Sequence, residues 1–282
     1  MRKNTFKRVL VTGASSGIGY DAAFALAVAG YEVFAGARRV SLMEPLRAVG
    51  VTPLALDVCS EQSIQACLSA CGPVDVLVNC AGYGSLGPIE TVPPEEWRQQ
   101  METNLFGLAR LCQLVLPGMR TRGCGRIINI GSVAGRVPVH FCGWYNVSKY
   151  GVEAFSDALR MEMRPYGIDV SIIEPSGIRT QWGAIAASHL EAACTGTAYE
   201  APGLRESGVF RKAYTLRLLS STAVVTRAVL RAVRARRPRA RYLVGLGSGT
   251  LVLLHTLLPT RWWDALARVL TKPWLSRCVK AL

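Results

Sequence analysis

The chain has 282 residues, half of them hydrophobic and 18% charged, which allows a large buried core and excludes a disordered chain. Its formal net charge of +14 is unevenly placed: residues 1–204 hold 17 basic and 17 acidic side chains, residues 205–282 hold 16 and 2. Such a basic end is either a solvated face or a surface for an acidic partner, meaning an anionic membrane, an acidic carrier protein or nucleic acid; with no nucleic-acid motif beside it, nucleic acid ranks last.

In chain order, RVLVT (Arg8–Thr12) is a short β-rich run. The glycines of TGASSGIG follow at once, then an alanine-rich helix ending near Gly30. YEVFAGA, VTPLALDV, VDVLVN, GRIINIGS and IDVSIIEP read as five further strands. Helices are predicted over Ser41–Val49, Ser60–Cys71, Pro94–Met119 and Trp144–Tyr166 between them. Short apolar strands alternating with helices predict a parallel sheet covered on both faces. Right-handed crossovers then give a doubly wound, Rossmann-type α/β fold.

Beyond Pro175 the pattern changes. Gln181–Lys212 is alanine-rich and weakly periodic, Thr222–Arg236 predicts an arginine-rich helix, and RYLVG (Arg241–Gly245) offers a seventh strand. Leu243–Leu258 is apolar but shorter than the roughly 20 residues a membrane span needs. Trp262, Trp263, Leu266, Val269, Leu270 and Trp274, with Arg261, Arg268 and Lys272, form an amphipathic pattern. It suits either packing on the domain or a membrane surface. We expect one domain over residues 1–282, with a substrate-loop region at 181–239 and a C-terminal helical extension at 246–282.

The nine cysteines are odd in number and include no Cys-x-x-Cys pair. They predict buried small side chains in a reducing cytoplasm, and no metal site. No long apolar stretch precedes the first glycines, which argues against a secretory signal. The glycosylation pattern at Asn146 would then go unused.

TGASSGIG (Thr12–Gly19) sits between a strand and a helix, the setting of a dinucleotide-binding turn. Gly13, Gly17 and Gly19 permit a tight turn and close approach of a ligand to Ser15, Ser16 and Ile18, with the helix N-terminus offering N–H groups to a pyrophosphate. The second strand ends in Arg38 and Arg39 rather than an acidic residue. Arginines suit a ribose 2′-phosphate, so NADP(H) is favoured over NAD(H). Asp57 and Val58 end the third strand, where an adenine would lie.

Four features fall at strand ends or on the helices beside them: Asn79-Cys80-Ala81-Gly82, Asn104, Ser132, and Tyr145 with Lys149 one helical turn on. Singly, Ser132 reads equally as a strand-end cap, Asn104 as a buried amide, and Tyr145 and Lys149 as a surface pair. In this order beside the glycine turn, they resemble the short-chain dehydrogenase/reductase family over about Arg8–Thr180. The run from Tyr145 to Pro175 is similar to the branch holding hydroxysteroid and retinol dehydrogenases.

That resemblance implies hydride transfer with Tyr145 as general acid/base, Ser132 on the substrate oxygen, Lys149 on the ribose, and Asn104 anchoring a water. It also implies that Pro175, Ile178 and Thr180 flank the nicotinamide. Physically, an unperturbed tyrosine pKa near 10 is too high for a base, and Lys149 together with the positive ring of an oxidised nicotinamide would favour the phenolate. The chain departs from the family pattern at Cys80, where asparagine is usual, and at Ser176, where glycine is usual; we expect an altered loop at Ser176.

Val133, Val139, His140, Trp144, Trp182 and Ile185 are the expected substrate-pocket residues. Their apolar character suits a lipophilic ketone or alcohol, such as a steroid, retinoid or polyketide. Two other readings stay open: a ketoreductase for carrier-bound acyl chains docked through the basic C-terminus, and a non-catalytic dinucleotide sensor. Helices Pro94–Met119 and Trp144–Tyr166 carry apolar surface to spare, so a homo-oligomer is expected.

Overall fold

A computed structural model describes residues 6–215 and 219–271. Trp274 and Lys272 of the expected amphipathic pattern lie outside the described residues. Seven strands, β1 (Arg8–Thr12), β2 (Glu32–Ala37), β3 (Thr52–Ala55), β4 (Val76–Asn79), β5 (Gly125–Ile130), β6 (Ile168–Pro175) and β7 (Arg241–Val244), form one parallel sheet in the order β3-β2-β1-β4-β5-β6-β7. Every residue of β4 and β5 is buried, as expected of strands covered on both faces.

The chain winds outward from β1 to β3, then returns to β4 beside β1. Val9–Val11 pair with Val76–Val78, so the carboxyl ends of β1 and β4 lie side by side where the winding reverses. Open α/β sheets bind ligands at such a point.

Helix α1 (Gly17–Val28) joins β1 to β2, and α2 (Glu61–Cys71) joins β3 to β4. The Ser60 hydroxyl caps α2 by accepting from the Ser63 N–H. Then come α3 (Pro94–Met101), α4 (Gly107–Arg122), α5 (Gly143–Met163), α6 (Trp182–Cys194), α7 (Glu200–Thr215), α8 (Ala223–Arg234), α9 (Ser248–Leu257) and α10 (Thr260–Thr271). Ala22, Ala23 and Leu26 of α1 pack with Val225, Val229 and Val233 of α8 on one face of the sheet. Ile64 of α2, Leu111 and Met119 of α4, and Val152 and Leu159 of α5 cover the other.

Several elements differ from expectation. Val40–Val49 is a 3-10 stretch with Pro45 inside it, a residue that interrupts α-helical hydrogen bonding. Strand β3 stops at Ala55, so Asp57 and Val58 lie in the following turn. The predicted helix Pro94–Met119 is interrupted by a π-helical turn, Glu102–Phe106, and runs on to Arg122, where Gly123 in the left-handed region (φ 63°) ends it. The weakly periodic Gln181–Lys212 resolves into α6 and α7 packed on one another, with Phe210 of α7 and Tyr199, just before α7, beside Leu190 and Cys194 of α6.

Candidate active site

The turn from β1 to α1 sits against the turn after β4. A Cβ on Gly13 would lie 2.7 Å from Ala81 Cα, and Gly13 and Gly17 have φ of +66° and +56°. Both positions therefore exclude other side chains. Thr12 locks the two turns together: its hydroxyl accepts from the Cys80 N–H at 3.0 Å and the Ala81 N–H at 3.1 Å. At the end of β2, the Arg39 guanidinium donates to Ser15 Oγ at 3.1 Å, and Arg38 is exposed beside it. The result is a concave, cation-flanked cradle at the N-terminus of α1, matched to a phosphate-bearing dinucleotide.

The cradle opens into a cleft of about 780 Å³. Of the expected cofactor residues, Gly13, Ser15, Ser16, Gly17, Ile18, Gly19, Arg38, Arg39, Asp57, Val58, Ala81, Gly82, Tyr145, Lys149, Pro175, Ile178 and Thr180 line it. Asn79 does not. Its amide is buried and donates to Asn129 Oδ1 at 2.9 Å and Cys112 Sγ at 3.4 Å, because in β4 its side chain points into the sheet-covering layer. Cys80, one residue on, lines the cleft instead, and burial pushes its thiol up to about 12.

Tyr145 on α5 and Ser132, just beyond β5, both line the cleft, and the Ser132 hydroxyl lies near enough to pull the phenol pKa down. Ser132 Oγ also accepts from the Ala134 N–H at 3.1 Å, so the cap role and the site role coexist in one hydroxyl. Lys149 is buried and donates from Nζ to the Ile130 carbonyl at 3.0 Å, with Nζ 6.0 Å from the centre of the Tyr145 ring.

Burial works against the phenolate that Lys149 and an oxidised nicotinamide together are expected to favour. Burial raises the Tyr145 pKa above its ordinary value, and the nearby Ser132 hydroxyl opposes this only in part. Burial in turn lowers the Lys149 pKa to about 8, against the upward pull of Cys80 and Glu153. The phenol is therefore protonated across the neutral range and can donate.

Asn104 sits in the π-helical turn, where the wider coil tilts its amide inward. Its Oδ1 accepts from the Tyr83 N–H, and its Nδ2 donates to the Tyr83 carbonyl, each at 2.9 Å, and to Ser148 Oγ at 3.0 Å. It thus fastens the turn after β4 to α5, behind the cleft wall.

Among the expected substrate-pocket residues, Val133, Val139, Trp182 and Ile185 line the cleft, and His140 and Trp144 do not. Trp144 precedes Tyr145 on the helix, so it points about 100° away; its ring stacks on Trp97 at 4.6 Å on the outer surface. His140 turns outward to Glu206 of α7, Nδ1 to Oε2 at 2.9 Å.

Sequence reasoning missed a second wall. Tyr214 and Phe210 of α7 line the cleft, with Trp182 between Tyr145 (5.3 Å) and Tyr214 (5.6 Å). Tyr83, Glu96 and His189 add a polar corner, in which the Tyr83 hydroxyl donates to Glu96 at 3.1 Å. Asn146 was also missed: its side chain accepts from the Val139 N–H and donates to the carbonyls of Ala134 and Val137, bracing the substrate loop on α5. Ser176 ties its loop to the segment after β7, donating from Oγ to the Leu246 carbonyl at 3.1 Å.

Behind Lys149 on the same stripe of α5 lies Glu153, against Glu174 of β6. Arg241 bridges both carboxyls, at 3.1 Å and 3.0 Å. Burial first, and then the Glu174 charge, raise the Glu153 pKa to about 8.

A proton-donating phenol, a serine hydroxyl and a buried lysine beside a dinucleotide cradle define an oxidoreductase site. Residues 7–189 match the short chain dehydrogenase family model. The chain belongs to the short-chain dehydrogenase family. It is 34% identical over 266 residues to a probable short-chain type dehydrogenase/reductase of Helicobacter pylori, covering 92% of this chain and 96% of that one. Retinol dehydrogenase 8 of Homo sapiens is 38% identical over 187 residues, 62% of this chain and 60% of that protein. Among solved structures, actinorhodin polyketide ketoreductase with NADPH superimposes with a TM-score of 0.71 at 30% identity, over 88% of this chain and 99% of that one.

Proposed function

We propose that this protein is an NADP(H)-dependent oxidoreductase acting on hydrophobic ketones and the matching secondary or allylic alcohols, of steroid-, retinoid- or polyketide-like character. The observation that carries the reading is that Ser132 and Tyr145 together line a cleft walled by Val133, Val139, Trp182, Ile185, Phe210 and Tyr214. A wall of that kind favours apolar bodies with a single polar group. The relatives that reduce a polyketide or carry a retinol dehydrogenase name point the same way.

Arg38 and Arg39 would hold a 2′-phosphate, and the Gly13–Gly19 turn the pyrophosphate. When bound, the nicotinamide supplies or takes the hydride. In reduction, Ser132 binds the carbonyl oxygen and Tyr145 gives it a proton; in oxidation, Tyr145 takes the proton back. Lys149 holds a positive charge beside the reacting oxygen, and Asn104 keeps the Tyr83 turn fixed.

The carrier-docking reading gains no support from the arginines between α8 and β7. Arg236, Arg237 and Arg239 lie in the connection from α8 to β7, at the edge of the sheet where strands begin, whereas the cleft lies where they end.

Fluorescence titration with NADPH and NADH, followed by turnover on a panel of ketones and alcohols, tests the proposal. Tighter NADPH binding that weakens about tenfold or more in Arg38→Asp, consistent with the loss of a charged hydrogen bond, is the expected result. Equal affinity for both nucleotides would remove the NADP(H) assignment. Binding without turnover of any apolar ketone would remove the substrate class.

A further inference from the structure

The α9–α10 hairpin has two unlike faces. Inward, Val252 and Trp263 are buried against Val133 and Val137, and Leu251 lines the cleft. Outward, Leu246 (73%), Leu253 (57%), Leu257 (69%) and Trp262 (69%) are exposed, with Leu254 and Val269 beside them on the same two helices. Leu253 and Leu257 are one helical turn apart on α9, and Trp262 and Val269 two turns apart on α10, so each helix presents a continuous apolar stripe. Large apolar side chains gathered in this way on a protein surface mark an interaction site.

Charge decides between occupants. From Gly245 to Leu282 the sequence holds Arg261, Arg268, Lys272, Arg277 and Lys280 against a single acidic residue, Asp264, the last three cations lying outside the described residues. A two-fold contact with a second copy would set this basic segment against itself. A surface that combines apolar depth with negative charge satisfies both features at once. A tryptophan beside an arginine, as at Trp262 and Arg261, is also the pairing found at lipid–water boundaries. Neither helix is long enough to cross a bilayer, which takes about 20 residues, and no helix among the described residues meets that requirement.

We infer that the α9–α10 hairpin docks the protein on an anionic lipid surface, with its outer leucines and Trp262 immersed and the exposed Arg261 at the headgroups. The cleft then lies one helix thickness from the lipid. Leu251 faces the cleft from the helix whose other side meets the membrane, and Ser176 bonds the cleft loop to Leu246 at the start of the hairpin. A lipid-dissolved ketone would reach Ser132 and Tyr145 without crossing bulk water. Delivery of substrate rests on the function proposed above; docking itself does not.

Flotation of the full-length protein with phosphatidylcholine vesicles, with and without phosphatidylserine, is the test. We expect binding to the phosphatidylserine vesicles, weaker binding without that lipid, and weakening at higher salt. Leu257→Ser with Trp262→Ser should lower vesicle partitioning more than about tenfold. Because both side chains are exposed, that variant should keep its NADPH affinity, and Trp262→Phe should keep vesicle binding. No binding to phosphatidylserine vesicles, or equal binding by the double variant, would overturn the inference. A solution mass that falls by half in the double variant would also overturn it, by showing that a second copy covers the face. Vesicle binding without ketone turnover would discard the proposed substrate class and leave the docking surface standing.

Discussion

Tyr145 and Lys149 sit one turn apart, yet each is governed more by burial than by the other. Replacing Tyr145 with Phe removes the proton donor and leaves the ring packed against Trp182. Turnover should fall about 10²- to 10⁴-fold, the usual range for a lost general acid, with NADPH affinity nearly unchanged. Steady-state kinetics and nucleotide titration on the same sample separate the two. Lys149 sets the pH response. Its depressed pKa means the ammonium is present below about 8 and lost above it. The rate of ketone reduction by the free enzyme should be flat through neutrality and fall as pH rises past about 8. A profile that stays flat to pH 10 would show that the lysine charge is not needed. That Ser132, Tyr145 and Lys149 come together at the cleft was legible in the sequence because their order and spacing are those of a strand end and one helical turn. The protonation state was not, because it depends on burial, which no spacing reveals. Asn79 was misplaced for a related reason: two adjacent residues at the end of a strand face opposite sides, and the sequence alone did not say that Cys80, not Asn79, faces the cleft.

At the level of elements, α5 carries Tyr145, Lys149 and Glu153 at four-residue intervals along one stripe, ending in the Glu153–Glu174 pair under Arg241. The raised Glu153 pKa has a definite sign. Below the model-peptide range near 4.3 the group is protonated in both folded and unfolded chains. As pH rises from there to about 8, the unfolded chain releases the proton while the fold retains it, so this group's contribution to stability declines over that window. Glu153→Gln keeps the shape and removes the titration. Denaturant unfolding at a series of pH values should show a shallower loss of stability between pH 5 and 8 in the variant. An unchanged slope would place the proton elsewhere.

The turn between β1 and α1 gives a second element-level test. An alanine at position 13 would meet the backbone of Ala81 at 2.7 Å while holding a left-handed conformation. The conformation alone costs about 1–2 kcal/mol. Gly13→Ala should therefore lower both stability and NADPH affinity, whereas Gly30→Ala, which meets no neighbour, should lower stability alone. The sheet, its strands and most helices followed from hydrophobic period and glycine placement. The π-helical turn at Asn104 did not, since one extra residue in a helical coil leaves no mark on a window of apolar residues.

Across the whole molecule, the sequence after Pro175 was the least legible part, and the structure shows why. α6 and α7 are held by each other and by the cleft, not by the sheet, so neither shows the one-sided apolar face a sheet demands. The α9–α10 hairpin is anchored chiefly through Trp263, 6% exposed and packed on Val133 and Val137. Val133 follows Ser132, so the anchor and the chemistry share one short turn. Loss of a buried tryptophan costs about 3–5 kcal/mol when the whole domain depends on it. Here the loss falls on a peripheral pair of helices, which can open locally while the sheet stays folded. Trp263→Ala should thus leave the main unfolding transition and the NADPH affinity close to those of the parent. It should raise KM for an apolar ketone by about tenfold, the equivalent of about 1.4 kcal/mol of lost wall contact. Limited proteolysis should cut the variant between residues 245 and 260 at a protease concentration that spares the parent. If KM for ketone holds while the hairpin becomes cleavable, the hairpin is not part of the substrate wall and Leu251 lines the cleft without contributing to binding.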